Sequence, residues 1–390
     1  MKKAVSLVLA GTMVAGMCAC SGAQTQSATN APASTAAVTE ATTEAAGSAE
    51  TSATEGVSMD LDEASAKKAA ESIDYSKATV VKFGNAGAVG EPAYAACDYF
   101  CNLINANSGG KYRFDFYPAE QLGNEATMME NLQTGLQEGM MSSLDSLASY
   151  STDLNILSMA FAFGSSEQMM NFLGSDDAKT LWGDLDDNGF HVVAYGYKKN
   201  PRGFFGKKPL KTPADMKGMK YRIPQLPIFE KNAQAMGATP VVVSWSEYAY
   251  ALKQGTVDGG ECSKDAYRSA GLYESAPFFS EVDYAYPVEC IYFANDWWNA
   301  LPKEEQEIIT AAAKKSQDVY NNQIKATWEA DRKWLETEGN ATFVDIDKDA
   351  FMAAAADLGS QLQAEGFFKT PDLYDRVVKL NEEYEKTHKN

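Results

Sequence analysis

Histidine is nearly absent from this chain: only His191 and His388 occur in 390 residues. A histidine-based triad or zinc site therefore has few places to form. Other catalytic signatures are missing as well. There is no Gly-x-Ser-x-Gly turn, no His-Glu-x-x-His helix and no phosphate loop ending in Gly-Lys-Ser or Gly-Lys-Thr. Gly84, Gly87 and Gly90 are evenly spaced, which departs from the dinucleotide fingerprint and reads as a flexible turn. Basic residues are in deficit, with 34 Lys and Arg against 53 Asp and Glu and a formal net charge of −19. Nucleic acid is excluded as a partner on that ground, because binding phosphates requires a basic face. A small anion is not excluded, since an acidic protein can hold a local basic pocket. Past the N-terminal segment, no apolar run is long enough to cross a membrane. These absences point away from an enzyme and away from a cofactor or bound metal.

Six cysteines are present: Cys18, Cys20, Cys97, Cys101, Cys262 and Cys290. Spacing alone does not assign pairs among the last four. Cys97 and Cys101 are four apart on an expected helix and read as small buried apolar groups.

The N-terminus carries the signature of export. Lys2 and Lys3 precede a short apolar stretch that ends in Met17-Cys18-Ala19-Cys20. That ending resembles the lipobox of bacterial lipoproteins. The resemblance implies a signal peptide over residues 1–19, lipidation of Cys20 and attachment to the outer face of the membrane. A plain secreted protein cleaved near Ala19 is the other reading. From residue 20 to about 70 the chain is Ala, Thr, Ser, Gly and Glu with few large apolar groups, so a disordered tether is expected.

Residues 71–390 are then long enough for two lobes. Residues 78–86 read as a strand entering a Gly-rich turn, 91–107 as a helix stopped by Ser108-Gly109-Gly110, and 111–117 as an alternating strand. Residues 124–138 read as a helix and 190–197 as a strand. This alternation indicates an α/β fold with mainly parallel sheets. It resumes after Arg202, with strands at 220–223, 239–243 and 285–293 and helices at 227–236 and 246–254. Thr212-Pro213-Ala214-Asp215 has the form of a helix start. A single helix is expected over residues 302–339, longer than one lobe needs and long enough to bridge two.

The informative stretch begins near Tyr195. It contains Asn200-Pro201-Arg202-Gly203, then Lys208-Pro209-Leu210-Lys211-Thr212-Pro213-Ala214-Asp215-Met216-Lys217-Gly218-Met219-Lys220-Tyr221-Arg222-Ile223-Pro224. Gly237-Ala238-Thr239-Pro240 follows, then Glu247-Tyr248-Ala249-Tyr250-Ala251-Leu252-Lys253-Gln254-Gly255-Thr256-Val257-Asp258-Gly259-Gly260-Glu261. Together with Gln121-Leu122-Gly123, Leu132-Gln133-Thr134-Gly135 and Trp298-Asn299-Ala300-Leu301-Pro302, this series resembles the substrate-binding subunits of tripartite ATP-independent periplasmic (TRAP) transporters. The resemblance runs from about residue 80 to 313.

The family implies a two-lobed α/β protein of the periplasmic-binding type, with lobe one over about 78–200 plus part of the C-terminal half and lobe two over about 201–289 plus C-terminal helices. A cleft between the lobes closes on an organic acid, which a membrane permease then receives from a monomer. A sensor that presents its closed form to a receptor is the alternative. The family also implies that Arg222 grips the ligand carboxylate through two prongs, as a guanidinium can. Arg202 stands where a second ligand arginine often occurs, with a structural salt bridge as its other reading. Cys262 stands where the family commonly has an asparagine that touches the ligand, so that contact is in question. Asn85 and Glu91, in the first strand–helix turn, are candidates for the far end of the ligand. Trp245 is a candidate pocket wall, with core packing as its other role.

Overall fold

The computed structural model of the protein describes residues 59–388. The expected signal peptide, Cys20 and the tether up to residue 58 lie outside the described residues. Two mixed sheets organise the rest. The first has the strand order β2-β1-β3-β10-β4, from Thr79–Asn85 (β1), Tyr112–Tyr117 (β2), Gly139–Ser143 (β3), Phe190–Lys198 (β4) and Val288–Ala294 (β10). The second has the order β11-β9-β5-β8-β6-β7. Its strands are Arg202–Gly206 (β5), Lys220–Ile223 (β6), Thr239–Val242 (β7), Gly259–Ser263 (β8), Phe278–Ser280 (β9) and Thr342–Val344 (β11). The fold is α/β and two-lobed, with one sheet in each lobe.

Each sheet is parallel except for one strand. β10 runs antiparallel to β3 and β4, and β5 runs antiparallel to β8 and β9. Both reversed strands follow a crossing between the sheets. β4 leads into β5 through Lys199-Asn200-Pro201, and β9 leads into β10 through residues 281–287. A chain that leaves one sheet at a strand end meets the next sheet at its near edge, so the incoming strand runs against its neighbours.

Part of the expected tether is folded. Glu63–Glu71 is a helix (α1), capped by Asp62, whose side chain accepts the Ser65 N–H. Ala66 and Ala70 are buried, and α1 packs on Pro92–Asn107 (α2). Tyr99 Oη donates to the Leu61 carbonyl at 2.6 Å, and Tyr75 Oη donates to the Ala70 carbonyl at 2.9 Å. Alanine contributes little area, but its helix propensity is the highest of all residues, and two tyrosines of the lobe supply the docking contacts.

Glu125–Thr134 (α3) is shorter than expected. Gly135 ends it at φ 72°, in the left-handed region, and Leu136 is left exposed. Pro227–Ala235 (α4), Tyr248–Gln254 (α5) and Lys264–Ser269 (α6) flank the second sheet. Lys303–Thr337 (α7) runs unbroken for 35 residues, roughly 50 Å at the helical rise. It packs on α2 and β4 in lobe one and on α6 and β11 in lobe two. Ile308, Ile309, Ala312, Ala313 and Tyr320 join the core of lobe one, whereas Leu335 joins that of lobe two. Tyr197 Oη donates to the Ala313 carbonyl at 2.7 Å, pinning the helix to β4. One apolar stripe thus serves two cores.

Candidate functional site

A cleft of about 750 Å³, open solvent included, lies between the two sheets. Its position follows from strand direction. Asn85, Ser143, Arg222 and Ser263 lie at the C-terminal ends of β1, β3, β6 and β8. Arg202 and Glu289 lie at the beginnings of the two reversed strands, which meet the same edges. Ligands bind outside the carboxyl ends of strands in open α/β sheets, and here both sheets turn that edge to one space.

All six cleft residues expected from sequence line this space: Asn85, Glu91, Arg202, Arg222, Trp245 and Cys262. Their chemistry differs. Arg222 is 4% exposed. Its Nε donates to the Val243 carbonyl at 2.9 Å, and its guanidinium lies 4.6 Å from the Tyr248 ring centre and 5.6 Å from that of Trp245. Among the described residues no carboxylate pairs with it. Burial pulls the guanidinium below its ordinary pKa, against the influence of Tyr248 and Glu261. An arginine still stays charged at neutral pH, so the cleft contains a buried cation with no salt-bridge partner among the described residues. Trp245 lines the cleft and packs edge-on against Tyr248.

Arg202 is in the opposite condition. It donates to Glu261 Oε2 at 2.6 Å and lies 3.5 Å from Asp145 Oδ2. Glu261 is 1% exposed and also accepts from Tyr284 Oη at 3.0 Å. Burial works against the Arg202 charge, but Glu261 and Asp145 outweigh it and hold the pKa above the ordinary value. Two of its donors are therefore committed to the protein.

β8 lies between the two arginine strands. Gly260 pairs with Arg222, Cys262 with Gly203, and Ser263 with Arg202. The glycine pair in Val257-Asp258-Gly259-Gly260-Glu261 has a steric cause. A Cβ on Gly259 would lie 2.1 Å from the Phe205 carbonyl oxygen, and one on Gly260 would lie 2.1 Å from Tyr248 Oη. Cys262 is a buried free thiol whose pKa burial drives well up. At the position of the family's asparagine it adds apolar surface and no amide. Cys97, Cys101 and Cys290 are free and buried too.

Asn85 spends its amide locally. Its Oδ1 accepts the Gly87 N–H at 2.7 Å and its Nδ2 donates to the Met141 carbonyl at 2.8 Å. It shapes the turn that carries Glu91. Glu91 stands at the N-cap position of α2 without a side-chain cap bond, and its Oε1 accepts the Ala88 N–H at 3.3 Å. Burial raises its pKa, while Lys199 works to lower it.

Four further charged residues of the cleft escaped the sequence reading. Lys199 pairs with Glu289 at 2.7 Å. Asp145 accepts from Ser158 Oγ and approaches Arg202. Glu125 is half-buried at the start of α3, and burial, reinforced by Glu289 and Asp145, pushes its carboxyl up to about 7. Glu289 had a usable signal, since a lone carboxylate inside an otherwise apolar strand needs a partner. Glu125 had none, because an acid in a first helical turn is ordinary.

A cleft between two sheets that holds, among the described residues, one buried cation without a carboxylate partner suits an anionic solute. Residues 83–365 match the family described as bacterial extracellular solute-binding protein, family 7 (DctP), and the chain belongs to it. Members are transporter-linked solute-binding proteins rather than enzymes; they work outside the cytoplasm and pass small acids to TRAP permeases. The 2,3-diketo-L-gulonate-binding periplasmic protein YiaO of Escherichia coli is 26% identical, over 73% of this chain and 85% of that protein. The C4-dicarboxylate-binding protein DctB of Bacillus subtilis is 26% identical over 61% and 68%. A TRAP periplasmic solute-binding protein of Roseobacter denitrificans, solved with bound β-D-glucuronate, is 27% identical. It superposes with a TM-score of 0.72 over 78% of this chain and 99% of its own.

Proposed function

We propose that this TRAP solute-binding protein captures its organic acid by the carboxylate at Arg222, with Cys20 lipidated as the membrane anchor. The supporting observation is the isolation of Arg222. Arg202 and Lys199 each have carboxylate partners in the protein, whereas Arg222 is almost fully buried without one among the described residues. A buried unpaired charge is costly, and a bidentate ligand carboxylate removes that cost while adding two charge-assisted hydrogen bonds. Relatives named for or solved with diketogulonate, glucuronate and C4-dicarboxylates fit a ligand of this kind. The protein acts as a monomer, and closure of the lobes on ligand presents the permease with a distinct shape.

A thermal-shift screen over organic acids tests the reading. A ligand at a hundred times its dissociation constant adds about 2.7 kcal/mol. The hit should stabilise the native protein and fail to stabilise Arg222→Ala. Equal stabilisation of both proteins would refute the role of Arg222. For the anchor, Cys20→Ala should move the protein from the membrane fraction into the soluble fraction.

A further inference from the structure

The ion pairs of the cleft leave an uneven remainder. Three cations line it, Lys199, Arg202 and Arg222, together with Glu91, Glu125, Asp145 and Glu289. Glu289 matches Lys199, while Glu261 and Asp145 match Arg202. What is left is one cation, Arg222, on the wall of lobe two, and two carboxylates, Glu91 and Glu125, on the wall of lobe one. Among the described residues neither glutamate pairs with a cation. Glu91 accepts one long backbone hydrogen bond, and among the described residues the side chain of Glu125 has no hydrogen-bond partner.

We infer that the ligand is a monocarboxylate whose far end offers hydrogen-bond donors, hydroxyl or ammonium, to Glu91 and Glu125, and that a second carboxylate at that end is rejected. The inference rests on the reading of Arg222 as the carboxylate anchor. An ionised carboxylate only accepts hydrogen bonds. Two of them on one wall are satisfied by donors and are left unpaired, beside a like charge, by a second carboxylate. Discrimination then comes from a repulsive element as well as from attractive contacts. Ionised groups already crowd this wall. Glu125 faces Glu289 from β10, Asp145 from the turn after β3, Lys199 from the crossing and Glu120 from the preceding loop. Burial, together with Glu289, Asp145 and Glu120, raises the Glu125 pKa against the opposing pull of Lys199, so a further negative charge meets a site that already resists one. Below neutral pH Glu125 takes up a proton, becomes a donor, and repels less.

The test is isothermal titration of the purified protein at pH 8 and pH 5.5. The probes are glucuronate, gluconate, glucosaminate as the ammonium-bearing acid, glucarate as the matched diacid, and succinate. At least one monoacid should bind, with glucarate and succinate about tenfold or more weaker at pH 8. The gap should narrow at pH 5.5, and Glu125→Gln should narrow it at pH 8. Tight binding of glucosaminate alone assigns the donor as ammonium; tight binding of glucuronate or gluconate assigns it as hydroxyl. If a diacid binds at pH 8 as tightly as the best monoacid, the inference falls and the Arg222 reading stands. A gap that is unmoved by both pH and Glu125→Gln also overturns it. If none of the five acids binds, the inference falls, and the Arg222 reading is decided separately by the wider acid screen.

Discussion

Arg202 and Arg222 lie on strands of one sheet, separated only by β8, and both reach the same cleft. Arg202 sits at the start of a reversed strand, just after the crossing from lobe one, and finds Glu261 and Asp145 within reach. Arg222 sits at the end of a parallel strand and finds aromatic faces and one carbonyl. The residue type is the same, Arg222 is the more buried of the two, and the partners differ. A buried cation with its acids in place joins two lobes. A buried cation without them fits the proposed anchor for an external anion.

Four experiments break or sharpen that contrast. The largest effect is expected from Arg202→Ala, which strands Glu261 and Asp145. Unfolding in urea should show a loss of about 3–5 kcal/mol; a loss under about 1 kcal/mol would mean that the pair is not structural. Arg222→Ala should act on binding instead. Calorimetry with the cognate acid should show a loss of about 2–5 kcal/mol, or about thirtyfold and more in dissociation constant. The unliganded stability should hold or rise, since an unpaired buried charge has gone.

Glu125→Gln probes the opposite wall. The folded-state pKa of Glu125 lies near 7, above the ordinary 4.5. The wild-type protein therefore keeps its full stability below the ordinary value and loses part of it as pH rises through 7. The variant cannot ionise, so its advantage should be absent at pH 4 and reach about 2 kcal/mol at pH 8, after allowing for solvent screening at a half-buried site. Thermal melts across that range decide it, and a difference that does not vary with pH would remove Glu125 from the account. The smallest effect belongs to Cys262→Asn, which places an amide between the two arginines. It should cost about 1 kcal/mol of stability and change affinity by less than about fivefold. A larger gain in affinity would show that the family's ligand amide still has its place here.

Much of the fold was legible. β1, β2, β4, β6 and β7, along with α2, α4 and α7, fall within a few residues of the periodicity-based expectation. β3 did not show itself. Gly139-Met140-Met141-Ser142-Ser143 has no β-branched or aromatic residue, yet Gly139 to Ser142 are fully buried in mid-sheet, where tertiary packing overrides propensity. α1 was hidden by composition, because an alanine-rich helix and an alanine-rich tether look alike until a docking surface is known. The six expected cleft residues came from motif and turn positions that the chain carries in order. Glu125, Asp145, Lys199 and Glu289 come from four separate elements, and only folding brings them together.

What the sequence determined by itself was the family and the alternation of strand and helix, and it singled out the arginine proposed for the carboxylate. Each is carried by contiguous residues, whose spacing sets local geometry. The tertiary structure decided which of the two arginines is free. A charge is free or spent according to its neighbours in space, and the neighbours of Arg202 lie 57 and 59 positions away along the chain, at Asp145 and Glu261.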